Sequence, residues 1–432
     1  MKSPQYNKSR RNGPPLLGMI LVGWCAVCPS EAPTSEPGPP LTKAQRETWQ
    51  RQIREALYVP DPLPEIDARS HGTFEPVLGV VAQRVTYATQ FGMRVPAIVY
   101  SPREFDRPLP GLIIVNGHGG DKYSWYAFYA GMLYARAGAV VLTYDPVGEG
   151  ERNRERKSGT RIHDRRIEPP EMGQRLGGLM MTDLMQAVTY LSTQSKVDSD
   201  RIGAVGYSMG SFVLSLAGAV DGRLHACVLA AGGNLDGPGG YWDNSKPMCQ
   251  AIPYKAMRFL EDRPAGIYAL HASRGPTLLV NGTEDSMMGI PDQGEDLFRT
   301  LRQRTIQLHG SSNGVFEFRM VQGISHRPFF VTRQVALWLE QQLDFAHWTK
   351  ADIETMPTTH VSRWAEANGV EMDPFYAVEQ REGGTRALGN FVPPLTRQQL
   401  SLFGPIEWEA DQANMIYETW VKRALTSVKR SN

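Results

Sequence analysis

The 432-residue chain contains 41% hydrophobic and 21% charged residues, which is typical of a soluble globular protein. Its 46 basic and 45 acidic residues nearly cancel, so no overall field would attract nucleic acid, and nucleic acid is not an expected partner. The length suffices for one large core with additional segments or for two domains.

The first 28 residues have the pattern of an export signal. Basic residues near the start precede the apolar stretch 16–28, which is shorter than the ~20 residues of a membrane-spanning helix. We therefore expect a signal peptide over residues 1–28 and a protein exported to the periplasm or the extracellular space. A membrane tether through the N-terminus is the alternative, either as an uncleaved anchor or as a lipid on Cys25 or Cys28.

Residues 29–43 are rich in proline, serine and glutamate and are expected to form a flexible linker. Helical spacing begins at Thr42 and extends to Leu57. The segments Val80–Thr86 and Arg94–Tyr100 then predict an antiparallel pair of strands at the start of a sheet.

Beyond residue 110, apolar runs alternate with helical stretches. Continuous apolar strands separated by helices indicate a mostly parallel sheet covered by helices on both faces. In such sheets the functional residues lie at the carboxyl ends of the strands. The predicted strands are Leu112–Val115, Ala139–Tyr144, Ile202–Gly206, Ala226–Ala231 and Thr277–Asn281, and the predicted helices are Trp125–Ala137, Leu179–Thr193, Ser208–Ala219 and Arg333–Leu343.

The pentapeptide Gly206–Gly210 matches the motif G-x-S-x-G and lies between a predicted strand and a helix rich in leucine and alanine. This order is typical of a nucleophile elbow, a sharp turn with glycines where the strand and the helix pass closely. Ser208 is the predicted nucleophile. The bare motif also fits a glycine-rich turn without chemistry, and it is the strand and the helix around it that favour the elbow.

An acid and then a histidine should follow the serine in the chain. Asp285 follows the strand Thr277–Asn281 and is the predicted acid, with Glu284 as its competitor. His326 lies in a polar loop after the strand-like segment Phe316–Val321 and is the predicted general base. The other downstream histidines that compete with it are His309, His347 and His360.

Backbone N–H groups are expected to stabilise the developing oxyanion. One donor should be Met209, the residue after the nucleophile. The other should come from the glycine-rich loop Asn116–Gly120, which follows the strand Leu112–Val115. Within that loop Gly119 and Gly120 are both candidates.

The loop Asn116–Gly120, the segment Tyr144–Arg152 and the pentapeptide Gly206–Gly210 together resemble the acetyl xylan esterase and dienelactone hydrolase-like branch of the α/β-hydrolase superfamily. The resemblance covers about residues 75–345. It implies an α/β-hydrolase fold over residues 44–349, followed by a C-terminal extension, 350–432, that the family core does not account for. A predicted helix, Ala410–Leu425, is expected to pack this extension on the core.

The same resemblance implies a carboxylic-ester hydrolase that uses Ser208, Asp285 and His326 and needs no cofactor or metal. The expected substrate is a small-molecule or polysaccharide ester, as for relatives that act on decorated carbohydrates outside the cytoplasm. Dienelactone hydrolases use a cysteine nucleophile, so the serine disfavours a lactone substrate. The alternatives are a prolyl-oligopeptidase-like serine peptidase and a non-catalytic binding protein on a hydrolase scaffold.

Two segments are candidates for substrate recognition. The charged segment Glu149–Glu171 either offers basic groups to a substrate carboxylate or pairs its arginines with its own acidic residues. The glycine-rich loop Gly232–Gly240 precedes an aromatic residue that either lines a pocket or packs in the core. The candidate substrate contacts are His118, Arg152 and Trp242.

The cysteines beyond the predicted signal are Cys227 and Cys249. They form either one disulfide or two free thiols, and two cysteines do not define a disulfide framework. The spacing of cysteines and histidines matches no zinc or haem motif, so no metal site is predicted.

Overall fold

The computed structural model describes residues 39–370 and 385–431. The predicted signal peptide and linker residues 29–38 lie outside the described residues. From Pro39 onward the chain forms one compact unit. Among the described helices, none is both long enough and apolar enough to cross a membrane.

Nine strands form one sheet: β1 (Arg69–Val77), β2 (Val80–Ala88), β3 (Arg94–Pro102), β4 (Leu109–Val115), β5 (Val140–Tyr144), β6 (Val197–Tyr207), β7 (Leu224–Ala230), β8 (Thr277–Gly282) and β9 (Glu317–Val321). Their order is β1-β2-β3-β5-β4-β6-β7-β8-β9. The pairs from β1 to β5 are antiparallel, and those from β5 to β9 are parallel. The prediction of a mostly parallel sheet that begins with an antiparallel pair of strands is confirmed.

The edge strand β1 was not predicted from the sequence. Its residues are exposed or half-buried along its whole length. A strand at the sheet edge with no buried face has no alternation of apolar and polar residues, which is the pattern that identifies a strand.

Helices cover both faces of the sheet. Alternate residues of β4 divide between the two resulting cores, with Ile113 and Val115 in one and Leu112 and Ile114 in the other. Helices α1, α3, α4, α7 and α8 pack against the first core, and helices α2 and α9 against the second. The bounds are α1 (Lys43–Ala56), α2 (Trp125–Ala137), α3 (Glu171–Ser192), α4 (Met209–Val220), α5 (Tyr241–Asn244), α6 (Met248–Ala256), α7 (Arg263–Arg274), α8 (Ile290–His309) and α9 (Arg333–Leu343).

The C-terminal segment adds short elements to both cores. It contributes Trp364 to the core under α2 and Trp420 to the opposite core. Its elements are α10 (Lys350–Thr355), β10 (Thr358–His360), α11 (Val361–Ala367), β11 (Arg386–Leu388), α12 (Arg397–Leu400), α13 (Pro405–Asp411) and α14 (Tyr417–Ser431). Strands β10 and β11 form a separate antiparallel pair.

The prediction of one helix over Ala410–Leu425 is wrong. Helix α13 ends at Asp411, and a 3-10 turn separates it from α14. Met415 and Ile416 are buried in the core under α2, whereas Trp420 and Ala424 are buried in the opposite core. Residues fewer than ten positions apart are thus buried on opposite faces of the sheet. The chain therefore changes direction between them, whereas one straight helix would continue in a single direction.

A buried ionic cluster joins the sheet to the C-terminal segment. The Nζ atom of Lys122 lies 2.5 Å from Asp145 Oδ2 and 2.9 Å from Glu151 Oε2, and none of the three side chains has exposed surface. The Glu151 carboxylate also accepts hydrogen bonds from the backbone N–H groups of Leu402 (3.1 Å) and Phe403 (3.2 Å). Glu151 therefore ties the loop after β5 to the segment before α13.

Replacing Lys122 by methionine should lower the free energy of unfolding by about 3–5 kcal/mol, because buried Asp145 loses its cation and buried Glu151 keeps only Arg156. The control is Lys157→Met, since Lys157 is exposed and its ion-pair partner among the described residues is exposed Glu155 at 2.9 Å. That variant should change stability by no more than about 1 kcal/mol. Urea unfolding of both variants measures the difference, and equal effects would contradict a stabilising role for the buried cluster.

Stability should also fall in acid because of a buried histidine. His271 Nε2 lies 2.8 Å from Ser215 O and Nδ1 3.0 Å from Thr277 Oγ1, and burial lowers the pKa of His271 to about 3. Below pH 6.5 the unfolded chain binds a proton that the folded chain does not take up until about pH 3. This contribution is therefore complete above pH 6.5 and is lost as the pH falls, by up to about 1.4 kcal/mol per pH unit.

Urea unfolding between pH 7 and pH 4 measures this slope. The variant His271→Gln should reduce the slope by about one proton. The control His225→Gln changes an exposed histidine and should leave the slope unchanged. A slope in His271→Gln equal to that of the unchanged protein would rule out His271 as the source.

Candidate active site

Ser208 lies in a sharp turn between β6 and α4. Its backbone has φ 54° and ψ −114°, a conformation that a residue other than glycine rarely adopts. A Cβ atom on Gly206 would lie 2.5 Å from Gly210 O, and one on Gly210 would lie 2.1 Å from Val115 O. The two glycines therefore permit the close approach of strand and helix that the predicted elbow needs. The side chain of Ser208 is half-buried at the carboxyl edge of the sheet.

The carboxylate of Asp285 and the imidazole of His326 are in contact. Asp285 follows β8, His326 follows β9, and Nδ1 of the histidine lies 2.7 Å from Oδ2 of the aspartate. The other oxygen, Oδ1, accepts a hydrogen bond from the backbone N–H of Met288 at 3.0 Å. The side chain of Glu284, the competing acid, is exposed to solvent. Of the two carboxylates, the structure brings Asp285 to the histidine.

His326 lies beside the turn that carries Ser208. Its ring centroid is 5.1 Å from that of Tyr207, the residue before the serine, and the Tyr207 hydroxyl donates to His326 O at 3.4 Å. Two competing histidines make their contacts elsewhere: His309 Nδ1 lies 3.2 Å from Ser311 O, and His360 Nδ1 lies 2.6 Å from Ser362 Oγ. The predicted base is therefore placed at the same sheet edge as the predicted nucleophile.

The glycine-rich loop after β4 also lies against the turn. A Cβ atom on Gly117 would be 2.8 Å from Tyr207 Cδ1, so this loop packs directly on the residue before Ser208. Within the loop the N–H of Gly120 donates to Gly117 O at 2.9 Å. That bond engages the Gly120 N–H, which makes Gly119 the better candidate for the second oxyanion donor. Met209 is the first residue of α4, where backbone N–H groups have no partner within the helix.

The prediction that Arg152 contacts substrate is wrong. Its side chain has no exposed surface, and Nη1 lies 2.5 Å from Asp183 Oδ2 and 3.2 Å from Asp145 O. A guanidinium inside the protein needs such a partner because an unpaired buried charge is strongly destabilising. Arg152 therefore joins the loop after β5 to helix α3.

Trp242 is likewise a core residue, and its prediction as a substrate contact is wrong. It is fully buried, stacks on Phe212 with ring centroids 5.1 Å apart, and donates its Nε1–H to Asn234 O at 2.7 Å. The alternative of core packing is correct for this residue. The third candidate, His118, retains some exposed surface, and its Nε2 lies 2.8 Å from Asp164 Oδ1.

In the charged segment Glu149–Glu171, three basic residues pair with acids of the same segment and two more pair with acids elsewhere in the protein. The alternative of internal pairing, rather than a basic wall for substrate, agrees with these contacts. The N–O distances are 2.9 Å for the pairs Arg156–Glu151, Lys157–Glu155 and Arg166–Glu168, and 3.2 Å for Arg154–Glu418.

Lys246 is a cation near the candidate site that the sequence did not indicate. Its Nζ lies 4.5 Å from the ring centre of Tyr241, 4.6 Å from that of Trp242 and 3.3 Å from Met288 Sδ. Burial lowers the pKa of Lys246 to about 8, and the negative charge of Asp285 opposes this change. Such a lysine belongs to no motif, and only the fold brings it close to the aspartate.

Two family models match parts of the chain. Acetyl xylan esterase (AXE1) matches residues 41–231, and the prolyl oligopeptidase family matches residues 170–351. Among curated proteins, YtaP of Bacillus subtilis, which is named as a hydrolase, is 27% identical over 146 residues, covering 31% of this chain and 47% of that protein. YcjY of Escherichia coli is 29% identical over 161 residues, covering 37% and 47%.

The chain thus spans about half the length of these curated relatives. Among solved structures, Methylesterase BT1017 superposes with a TM-score of 0.56 at 17% identity, over 90% of this chain and 76% of that one. This likeness concerns the fold. The sheet order and the turn at Ser208 show that the chain has an α/β-hydrolase fold, and the family-model matches show that it is similar to the acetyl xylan esterase branch.

Proposed function

We propose that the protein is a serine carboxylic-ester hydrolase that forms an acyl-enzyme on Ser208. The observation that carries the proposal is the 2.7 Å contact between Asp285 and His326 beside the turn that presents this serine. The order of serine, acid and histidine along the chain is that of α/β-hydrolases. A carboxylate that orients an imidazole next to a serine is the arrangement that activates a weak hydroxyl nucleophile.

The geometry supports a two-step reaction. His326 donates its Nδ1–H to Asp285, so Nε2 is the ring nitrogen that accepts the proton of the Ser208 hydroxyl. The serine oxygen bonds to the ester carbonyl carbon, and the N–H groups of Met209 and Gly119 stabilise the negative carbonyl oxygen. The C–O bond to the alcohol breaks as His326 returns the proton to that alcohol. Water then attacks the acyl-enzyme with the same histidine as base, and releases the acid and Ser208.

The family matches support an ester of a carbohydrate as substrate. The acetyl xylan esterase model covers the segment from α1 to β7, including the glycine-rich loop and Ser208. An acylated or methyl-esterified sugar is therefore the proposed substrate class, and an exported enzyme would meet such substrates outside the cytoplasm. The match to the prolyl oligopeptidase family over residues 170–351 makes a serine peptidase the second candidate.

Replacing Ser208 by alanine should abolish covalent labelling by a fluorophosphonate probe and lower kcat on an acetylated sugar by about 10⁴-fold or more, because the attacking oxygen is lost. Intact mass measures the labelling. The control is Ser286→Ala, a change of an exposed serine next to Asp285, which should keep the single adduct. Absence of an adduct on the unchanged protein would favour a non-catalytic binding scaffold, and faster cleavage of prolyl peptides than of esters would favour the peptidase.

A second pair of variants separates the two adjacent carboxylates. Asp285→Asn should lower kcat by about 10³–10⁴-fold with little change in stability, because an amide at this position favours the wrong tautomer of His326. Glu284→Gln changes an exposed side chain and should leave kcat within about 2-fold of the original value. Steady-state hydrolysis of one ester by both variants makes the comparison, and an equal loss in both would contradict the assignment of Asp285.

A further inference from the structure

Four side chains with metal-ligating atoms converge beside the glycine-rich loop. His118 comes from that loop, His163 and Asp164 from the 3-10 turn Ile162–Asp164, and Cys249 from α6. Their ligating atoms all lie within 4.8 Å of one another. Around Asp164 Oδ1 the distances are 2.8 Å to His118 Nε2, 3.4 Å to Cys249 Sγ and 3.8 Å to His163 Nε2.

His163 is the member of this group that hydrogen bonding does not explain. Its ring is fully buried, and among the described residues neither ring nitrogen has a partner at good hydrogen-bond geometry, although the backbone of Val147 lies close enough to act on the imidazole. An unpaired buried polar atom destabilises the folded protein, so such an atom requires an explanation.

We propose that His118, His163, Asp164 and Cys249 bind a divalent transition-metal ion, with Zn²⁺ as the best fit. Imidazole, thiolate and carboxylate are its usual ligands, and four of them complete a tetrahedral site. Ligand atoms in such a site lie about 3.3–3.6 Å apart, so the widest separation in the group contracts by about 1 Å on binding. Cys249 releases its proton to solvent as its sulfur bonds to the metal, since a coordinating thiol is deprotonated.

The proposed site would fix one wall of the candidate active site. His118 precedes Gly119, and the same loop packs through Gly117 on Tyr207, the neighbour of Ser208. A metal bound to His118 would tie this loop to the turn Ile162–Asp164 and to α6. Its proposed role is positional, and metal binding by these residues does not depend on whether the protein is an esterase.

The test uses the full chain, freed of metal by a chelator and kept reduced with a non-chelating reductant. Calorimetric titration with ZnCl₂ should show one saturable site, and Co²⁺ should give a thiolate-to-cobalt absorption band. Added Zn²⁺ should also raise the melting temperature. These readouts concern metal binding alone, so they are separate from any test of ester hydrolysis.

Three variants make the result specific. His163→Phe should weaken Zn²⁺ binding by about 100-fold or more, yet melt no lower than the metal-free unchanged protein, because it removes the unpaired nitrogens. Cys249→Ser should lose the thiolate-to-cobalt band, whereas Cys227→Ala, which removes the other buried thiol, should keep it. Absence of saturable binding, or equal Zn²⁺ affinity in His163→Phe and the unchanged protein, would overturn the proposal.

Discussion

The ammonium group of Lys122 is buried between the carboxylates of Asp145 and Glu151, and the loops around the candidate site depend on these two ion pairs. Lys122 lies two residues after Gly120, and Asp145 directly follows β5. Glu151 accepts hydrogen bonds from the backbone N–H groups of Leu402 and Phe403. Taking these charges out of water is expensive and is offset only when every partner is in place. The glycine-rich loop, the loop after β5 and the C-terminal segment are therefore held by one set of contacts. The C-terminal segment is accordingly fixed to the loop after β5 by buried contacts.

Features that depend on neighbouring residues could be predicted from the sequence. The turn at Ser208 needs glycine at 206 and 210 because a Cβ atom at either position would lie within 2.5 Å of backbone atoms. Both glycines belong to the same five-residue motif, so the turn can be predicted from the local sequence. Asp285 and His326 follow strands whose carboxyl ends share one edge of a parallel sheet, so their approach follows from the fold class. Local pattern and sheet topology were sufficient for these positions.

Features that depend on distant partners could not be predicted. The residues next to Arg152 in the chain do not indicate that Asp183 neutralises it inside the protein. Likewise, the residues next to Trp242 do not indicate that it stacks on Phe212. The cluster of His118, His163, Asp164 and Cys249 has no spacing motif, because its members come from three segments separated by whole helices and strands.

The two cysteines in the described part of the chain are not joined by a disulfide, and this affects how the protein behaves when it unfolds. Cys227 and Cys249 are both buried free thiols, so the described fold forms without an oxidant. Unfolding in air exposes the sulfurs of Cys227 and Cys249, and exposed thiolates exchange readily into intermolecular disulfides. Heat inactivation in an oxidising medium is then expected to end in cross-linked aggregates, so that the loss of protein is governed by the rate of unfolding rather than by an equilibrium.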